Sequence, residues 1–121
     1  MERVLGIGGV FFKAQDPHSL AAWYRDHLGL PIESGETYAC LTSSSAGEST
    51  TWSVFPADTE YLGAGSATCM VNYRVSDLDA MLGQLRAAGV SVDDRIEEYD
   101  YGRFGWATDP GGNRFELWEP R

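Results

Sequence analysis

The chain predicts an α+β domain built from a duplicated unit. Three observations carry that expectation. A strand leading into a capped helix occurs twice, each helix is followed by short strand-like stretches, and the two occurrences match each other. V-F-F-K-A-Q-D (Val10 to Asp16) aligns with V-N-Y-R-V-S-D (Val71 to Asp77). Val10, Phe12, Ala14 and Asp16 then correspond to Val71, Tyr73, Val75 and Asp77, a period of two that fits strands. The helix ends L-G-L (Leu28 to Leu30) and A-G-V (Ala88 to Val90) also correspond, and W-S-V-F-P (Trp52 to Pro56) resembles F-E-L-W-E-P (Phe115 to Pro120). Each half therefore reads as a strand, a helix and three further strands. Neither half has the length to bury a sheet alone, so two copies packed in one domain over residues 1–121 are expected, module one about 5–57 and module two about 67–120.

In chain order, Gly6 to Ala14 is the first strand. Asp16 caps a helix with Pro17 at its first position, where the missing N–H costs nothing. Leu20, Trp23, Tyr24 and Leu28 recur at helical spacing and Gly29 ends the run. Leu30 to Ser34 is extended and Thr37 to Thr42 is a strand. Ser43 to Ser49 is small and polar, a loop. Thr50 to Phe55 is a strand with Trp52 and Val54 on one face, and Pro56 to Ser66 is a linker. Thr68 to Val75 is the next strand, with Met70, Asn72 and Arg74 sharing a face. Ser76 or Asp77 caps a helix whose apolar stripe is Leu78, Met81, Leu82 and Leu85, and Gly89 stops it. Val90 and Val92 begin another extended piece. Asp93 to Asp100 is acidic and expected to be exposed. Tyr101 to Thr108 is a strand, and D-P-G-G-N (Asp109 to Asn113) is a tight turn into a final strand.

Composition bounds the function. The chain has 121 residues, 43% hydrophobic and 22% charged, with a formal net charge of −9. That balance argues against a nucleic-acid backbone or an anionic membrane as partner and is consistent with solubility. No apolar run of transmembrane length and no basic-then-apolar leader is seen, so a cytoplasmic protein is expected. Cys40 and Cys69 form no C-x-x-C pair and read as small buried hydrophobes.

The closing strand singles out one side chain. Phe115 and Leu117 suit a core, which puts Glu116 on the opposite face of a buried strand. A buried carboxylate needs a partner. Arg103, Arg114 and Arg74 are candidates for a salt bridge, and a ligand or a metal ion is the alternative.

With these motifs in hand, the chain resembles the vicinal-oxygen-chelate superfamily, the glyoxalase/bleomycin-resistance/dioxygenase fold. The resemblance rests on A-A-W-Y-R-D-H-L-G-L (Ala21 to Leu30), V-S-D-L-D-A (Val75 to Ala80), L-R-A-A-G-V (Leu85 to Val90) and D-P-G-G-N-R-F-E-L-W-E-P (Asp109 to Pro120), and it covers nearly the whole chain. It implies two β-α-β-β-β modules in an open, cupped, eight-stranded mixed sheet with helices outside, and commonly a homodimer. Metal-dependent members place ligands on the first and last strands of each module. Carried over, those positions are Gly9, Met70, Ser53 and Glu116. Only Glu116 is a good ligand, and the two histidines, His18 and His27, lie by the first helix. A zinc or non-haem iron site needs more. No metal and no cofactor are expected.

By alternation, the cleft face is expected to include Phe11, Met70, Asn72, Glu116 and Trp118, with Trp106 and Tyr101 beside them. This is the aromatic, mostly apolar lining of a small-molecule pocket, although the same side chains could serve as packing alone. Asn72 is a candidate to orient a substrate carbonyl, or it bonds to neighbouring backbone. Tyr101 and Arg103 are candidates to meet a ligand anion at the mouth, or they form a solvated edge. Three functions follow: a metal-independent small-molecule-binding protein in the manner of bleomycin-binding members, a lyase or isomerase with Glu116 as general base, or a dimeric module whose pocket is only packing. The first is the expectation.

Overall fold

The computed structural model describes residues 1–42, 48–63 and 67–121. The expected loop at Ser43 to Ser49 falls mostly outside them, as does the end of the expected linker, residues 64–66. Among the described residues, eight strands and two helices form an α+β fold with a mixed sheet. The order is β1 (Gly6–Ala14), α1 (Pro17–Leu28), β2 (Tyr38–Thr42), β3 (Ser49–Pro56), β4 (Cys69–Arg74), α2 (Leu78–Ala87), β5 (Ser91–Val92), β6 (Glu97–Tyr99), β7 (Gly102–Thr108) and β8 (Arg114–Pro120). No helix among the described residues is long and apolar enough to cross a membrane. Two compact units are present, one of residues Gly9–Cys69 and one of Met1–Gly8 with Met70–Arg121.

In the Gly9–Cys69 unit, β3 lies between β2, antiparallel, and β1, parallel. Helix α1 starts where Asp16 accepts the Ser19 N–H at 3.1 Å and Pro17 takes the first turn. It ends at Gly29 with φ +69°, a left-handed cap open to glycine without strain. Its core holds Ala21, Ile32, Ala39, Trp52 and Val54, with Phe12, Leu20 and Tyr24 against them. The expected stripe is therefore half right. Trp23 is 51% and Leu28 61% exposed, because the inward face turns through Ala21 and Tyr24 instead. The stretch from Leu30 to Ser34 forms no strand.

In the other unit, β8 pairs in parallel with β4 and antiparallel with β7, and β7 also holds β5 and β6. Asp77 caps α2 by accepting the Ala80 N–H at 3.0 Å. The helix buries Leu78, Met81 and Leu82 on Val75 and Leu117. Gly105 on β7 gives it close approach: an added Cβ would lie 3.1 Å from Leu82. The N-terminal residues are tied here as well, since the Glu2 N–H donates to Gln84 Oε1 at 2.9 Å and the Leu5 N–H to the Arg74 carbonyl at 2.8 Å.

The strands are shared unequally. Among the described residues two follow α1 and four follow α2, whereas the internal repeat implies three after each helix. The additional strand is β6, inside the stretch read as acidic and exposed. Glu97 and Tyr99 sit opposite Phe104 and Gly102 on β7, and this aromatic neighbourhood offsets the low strand preference of the glutamates.

Candidate functional site

In the unit of Met1–Gly8 and Met70–Arg121, α2 covers the sheet face that carries Leu117 and Gly105. Alternation puts Met70, Asn72 and Arg74 of β4, Phe104 and Trp106 of β7, and Glu116 and Trp118 of β8 on the other face. Cross-strand register then assembles three of them. Asn72 lies opposite Glu116, and Trp106 lies opposite Glu116 from the other side.

Glu116 is 1% exposed, Asn72 2% and Trp106 0%. Asn72 Nδ2 donates to Glu116 Oε1 at 2.6 Å, and Trp106 Nε1 donates to Oε2 at 2.9 Å. Each carboxylate oxygen thus accepts an N–H. An indole can only donate, so Oε2 acts as the acceptor in that bond. The Arg95 and Arg114 guanidinium carbons lie 4.8 and 5.4 Å from the Trp106 ring centroid, adding cation–π attraction. The arginines weighed as partners for Glu116 also bond to other groups. Arg114 Nη1 meets Asp93 at 2.6 Å, Arg74 Nη2 reaches the Ile7 carbonyl at 3.4 Å, and Arg103 binds Asp79 and Glu98.

Arg103, weighed as an anion contact or as part of a solvated edge, bonds to acidic side chains. It forks onto the two Asp79 oxygens at 3.0 and 3.1 Å and reaches Glu98 at 2.9 Å. Asp79 is on α2, so the guanidinium serves the helix-covered side of β7, away from Glu116. Its hydrogen bonds hold the Asp79 carboxyl below the usual aspartate range. Odd and even residues of β7 face opposite ways, and Arg103 has the opposite parity to Trp106.

Tyr101 is 60% exposed. It stacks on Tyr99 with ring planes 3° apart and meets the edge of Phe104. Trp118 stacks on Phe104 at 6.1 Å and donates from Nε1 to the Tyr101 carbonyl at 3.2 Å. Phe11 belongs to the Gly9–Cys69 unit, 8% exposed, with its ring near Phe55 and Tyr61, which stack on each other at 5.2 Å. Phe55 shares the parity of Phe11 across paired strands, the signal that could have found it. Tyr61 lies in the stretch read as a linker and had no such signal. Met70 is 1% exposed.

The residues do not fit a divalent cation. At the four positions the resemblance assigns to metal ligands, Gly9 has no donor, Ser53 is a weak one and Met70 is a soft thioether. Both oxygens of Glu116 already accept N–H groups. Among the described residues, no three His, Cys, Asp or Glu side chains gather to hold an ion. His18 and His27 lie on α1, with His27 exposed beside Trp23.

The sequence profile of the glyoxalase-like domain matches residues 9–118. The chain belongs to that family. Solved structures agree in fold. Methylmalonyl-CoA epimerase from Mycobacterium tuberculosis is 27% identical, with a TM-score of 0.70 over 98% of this glyoxalase-like chain and 89% of the epimerase. A variant of the Streptomyces coelicolor methylmalonyl-CoA epimerase, in complex with 2-nitronate-propionyl-CoA, is 18% identical, with a TM-score of 0.75 over 96% of this chain and 97% of the variant. A glyoxalase/bleomycin resistance protein/dioxygenase superfamily member from Vibrio splendidus 12B01 is 17% identical, with a TM-score of 0.61 over 98% of each chain. Among curated proteins, none matched.

Proposed function

We propose that this glyoxalase-like protein binds a small molecule without a metal ion, and that Glu116 is the polar group its ligand meets among aromatic side chains. The observation that carries the reading is the Glu116 carboxylate, 1% exposed and fixed by the Asn72 and Trp106 N–H groups. Burying a charge is costly, and here the protein fixes it with directed donors instead of surrendering it to water. The ligand class is a coenzyme A thioester or a comparable acyl compound, by analogy with the CoA complex of the Streptomyces relative. A cytoplasmic homodimer is part of the same reading.

A second reading is favoured by the 27% identity to an epimerase. In it the protein is an isomerase: Glu116 takes the proton from the carbon next to a thioester carbonyl and passes it to solvent, and a solvent proton adds to the other face of the enolate. One experiment addresses both. Tryptophan fluorescence and melting temperature are followed while propionyl-CoA and methylmalonyl-CoA are added, and solvent deuterium entry at the acyl carbon is followed by NMR. Saturable shifts without deuterium entry are the expected result for a binder. Deuterium entry that is abolished in Glu116→Gln, with the thioester still bound, makes it an isomerase. The substitution preserves shape, because the Asn72 amide can turn over to accept from the new N–H. No shift with any thioester removes the proposed ligand class and leaves packing as the role of these side chains.

A further inference from the structure

The sequence leaves Asn72 either to orient a substrate carbonyl or to bond to neighbouring backbone. Its Nδ2 is bonded to Glu116 Oε1, while its Oδ1 is buried with no hydrogen-bond partner among the described residues. An amide free to choose would place both ends against partners. Gly8 gives this one its room. A Cβ built there would collide with Asn72 Oδ1 and would lie 2.7 Å from Trp118 Cε3. Gly8 needs no positive φ, so its lack of a side chain matters for space and not for backbone conformation. The Asn72 amide lies across the bare backbone of residue 8 with its Nδ2 on the carboxylate.

We propose that Asn72 is a positioning residue for Glu116, and that glycine at position 8 is what lets Asn72 hold that place. The inference deepens the proposed role of Glu116 and rests on it for its functional meaning. Residue 8 and residue 116 are far apart in sequence and act on one group through a single amide. Any side chain at position 8 displaces the amide and takes the Asn72 N–H donor away from Glu116, while the Trp106 donor stays in place.

The test reads Glu116 without a ligand, so its outcome is independent of whether any thioester binds. Protein labelled with ¹³C at the glutamate carboxyl carbons is titrated by NMR, with the Glu116 signal assigned by its loss in Glu116→Gln. The variants are Gly8→Ala, Asn72→Ala and the pair together. Loss of the Asn72 donor removes a bond to the charged form, so the Glu116 midpoint moves upward in Asn72→Ala. Gly8→Ala moves it the same way, and the pair moves it no further than Asn72→Ala alone. An unchanged midpoint in Asn72→Ala overturns the proposal, as does an additive shift in the pair. If Gly8→Ala does not fold, the pair decides. Folding of the pair identifies Asn72 as the obstruction and supports the proposal. Failure of the pair while Asn72→Ala folds makes Trp118 the obstruction and overturns the role given to Gly8.

Discussion

Trp106 carries more of the Glu116 arrangement than its apolar bulk suggests. Its ring is buried, and its one polar atom donates to Glu116 Oε2 at 2.9 Å. Trp106→Phe keeps a ring in place but takes that donor from the oxygen. The expected cost is about 1–3 kcal/mol, read as a lower urea midpoint at an unchanged slope. Asp109 has a different setting, half-buried at the turn into β8. Its carboxylate accepts the Asn113 and Gly111 N–H groups, each at 2.9 Å, and Gly112 completes the turn at φ +85°. The Asn113 backbone bond comes first among the causes that hold its pKa below the ordinary 3.8. A depressed folded value means the stabilisation is full above the unfolded pKa and is lost as pH falls through the folded one. Asp109→Ala should therefore lower the melting temperature at about pH 7 and narrow the gap from wild type below about pH 3, as calorimetry at both pH values would report. Burial of Glu116 was legible from its neighbours Phe115 and Leu117. Its partners were not, because alternation gives the face of a strand but not which strands lie beside it. The pairing of residue 116 with both 72 and 106 exists only once the sheet has formed.

Between the two helices, the same periodic reading succeeds once and half fails once. Every residue of the α2 stripe packs inward, Leu78, Met81 and Leu82 fully and Leu85 in part. On α1, Trp23 and Leu28 face outward. Leu82→Ala should cost about 2–5 kcal/mol in chemical unfolding, whereas Trp23→Ala should stay within about 0.5 kcal/mol of wild type. The helix ends were legible because Asp-Pro at 16–17, Asp77, Gly29 and Gly89 act through local geometry. Strand β6 was not, because Glu97 and Glu98 look solvent-bound on their own, and their place is supplied by β7, a partner that their own stretch of sequence does not reveal. The extended piece expected after Leu30 did not become a strand. There Ile32 turns into the α1 core as part of a connection instead.

For the molecule as a whole, the poor fit of the donor set to a cation makes a sharp expectation. Exhaustive dialysis against EDTA should leave both the melting temperature and any thioester-induced shift unchanged. A bound ion that stabilised the fold would instead lower the melting temperature on removal. The division of the chain has a different reach. Residues Met1–Gly8 fold with Met70–Arg121, joined by the Leu5–Arg74 and Glu2–Gln84 bonds. On a ribosome, the segment made earlier must stay unpaired until the later one has left the exit tunnel. The Gly9–Cys69 part can gather its contacts while synthesis continues, but the part that carries Glu116 is completed only after β8 has emerged.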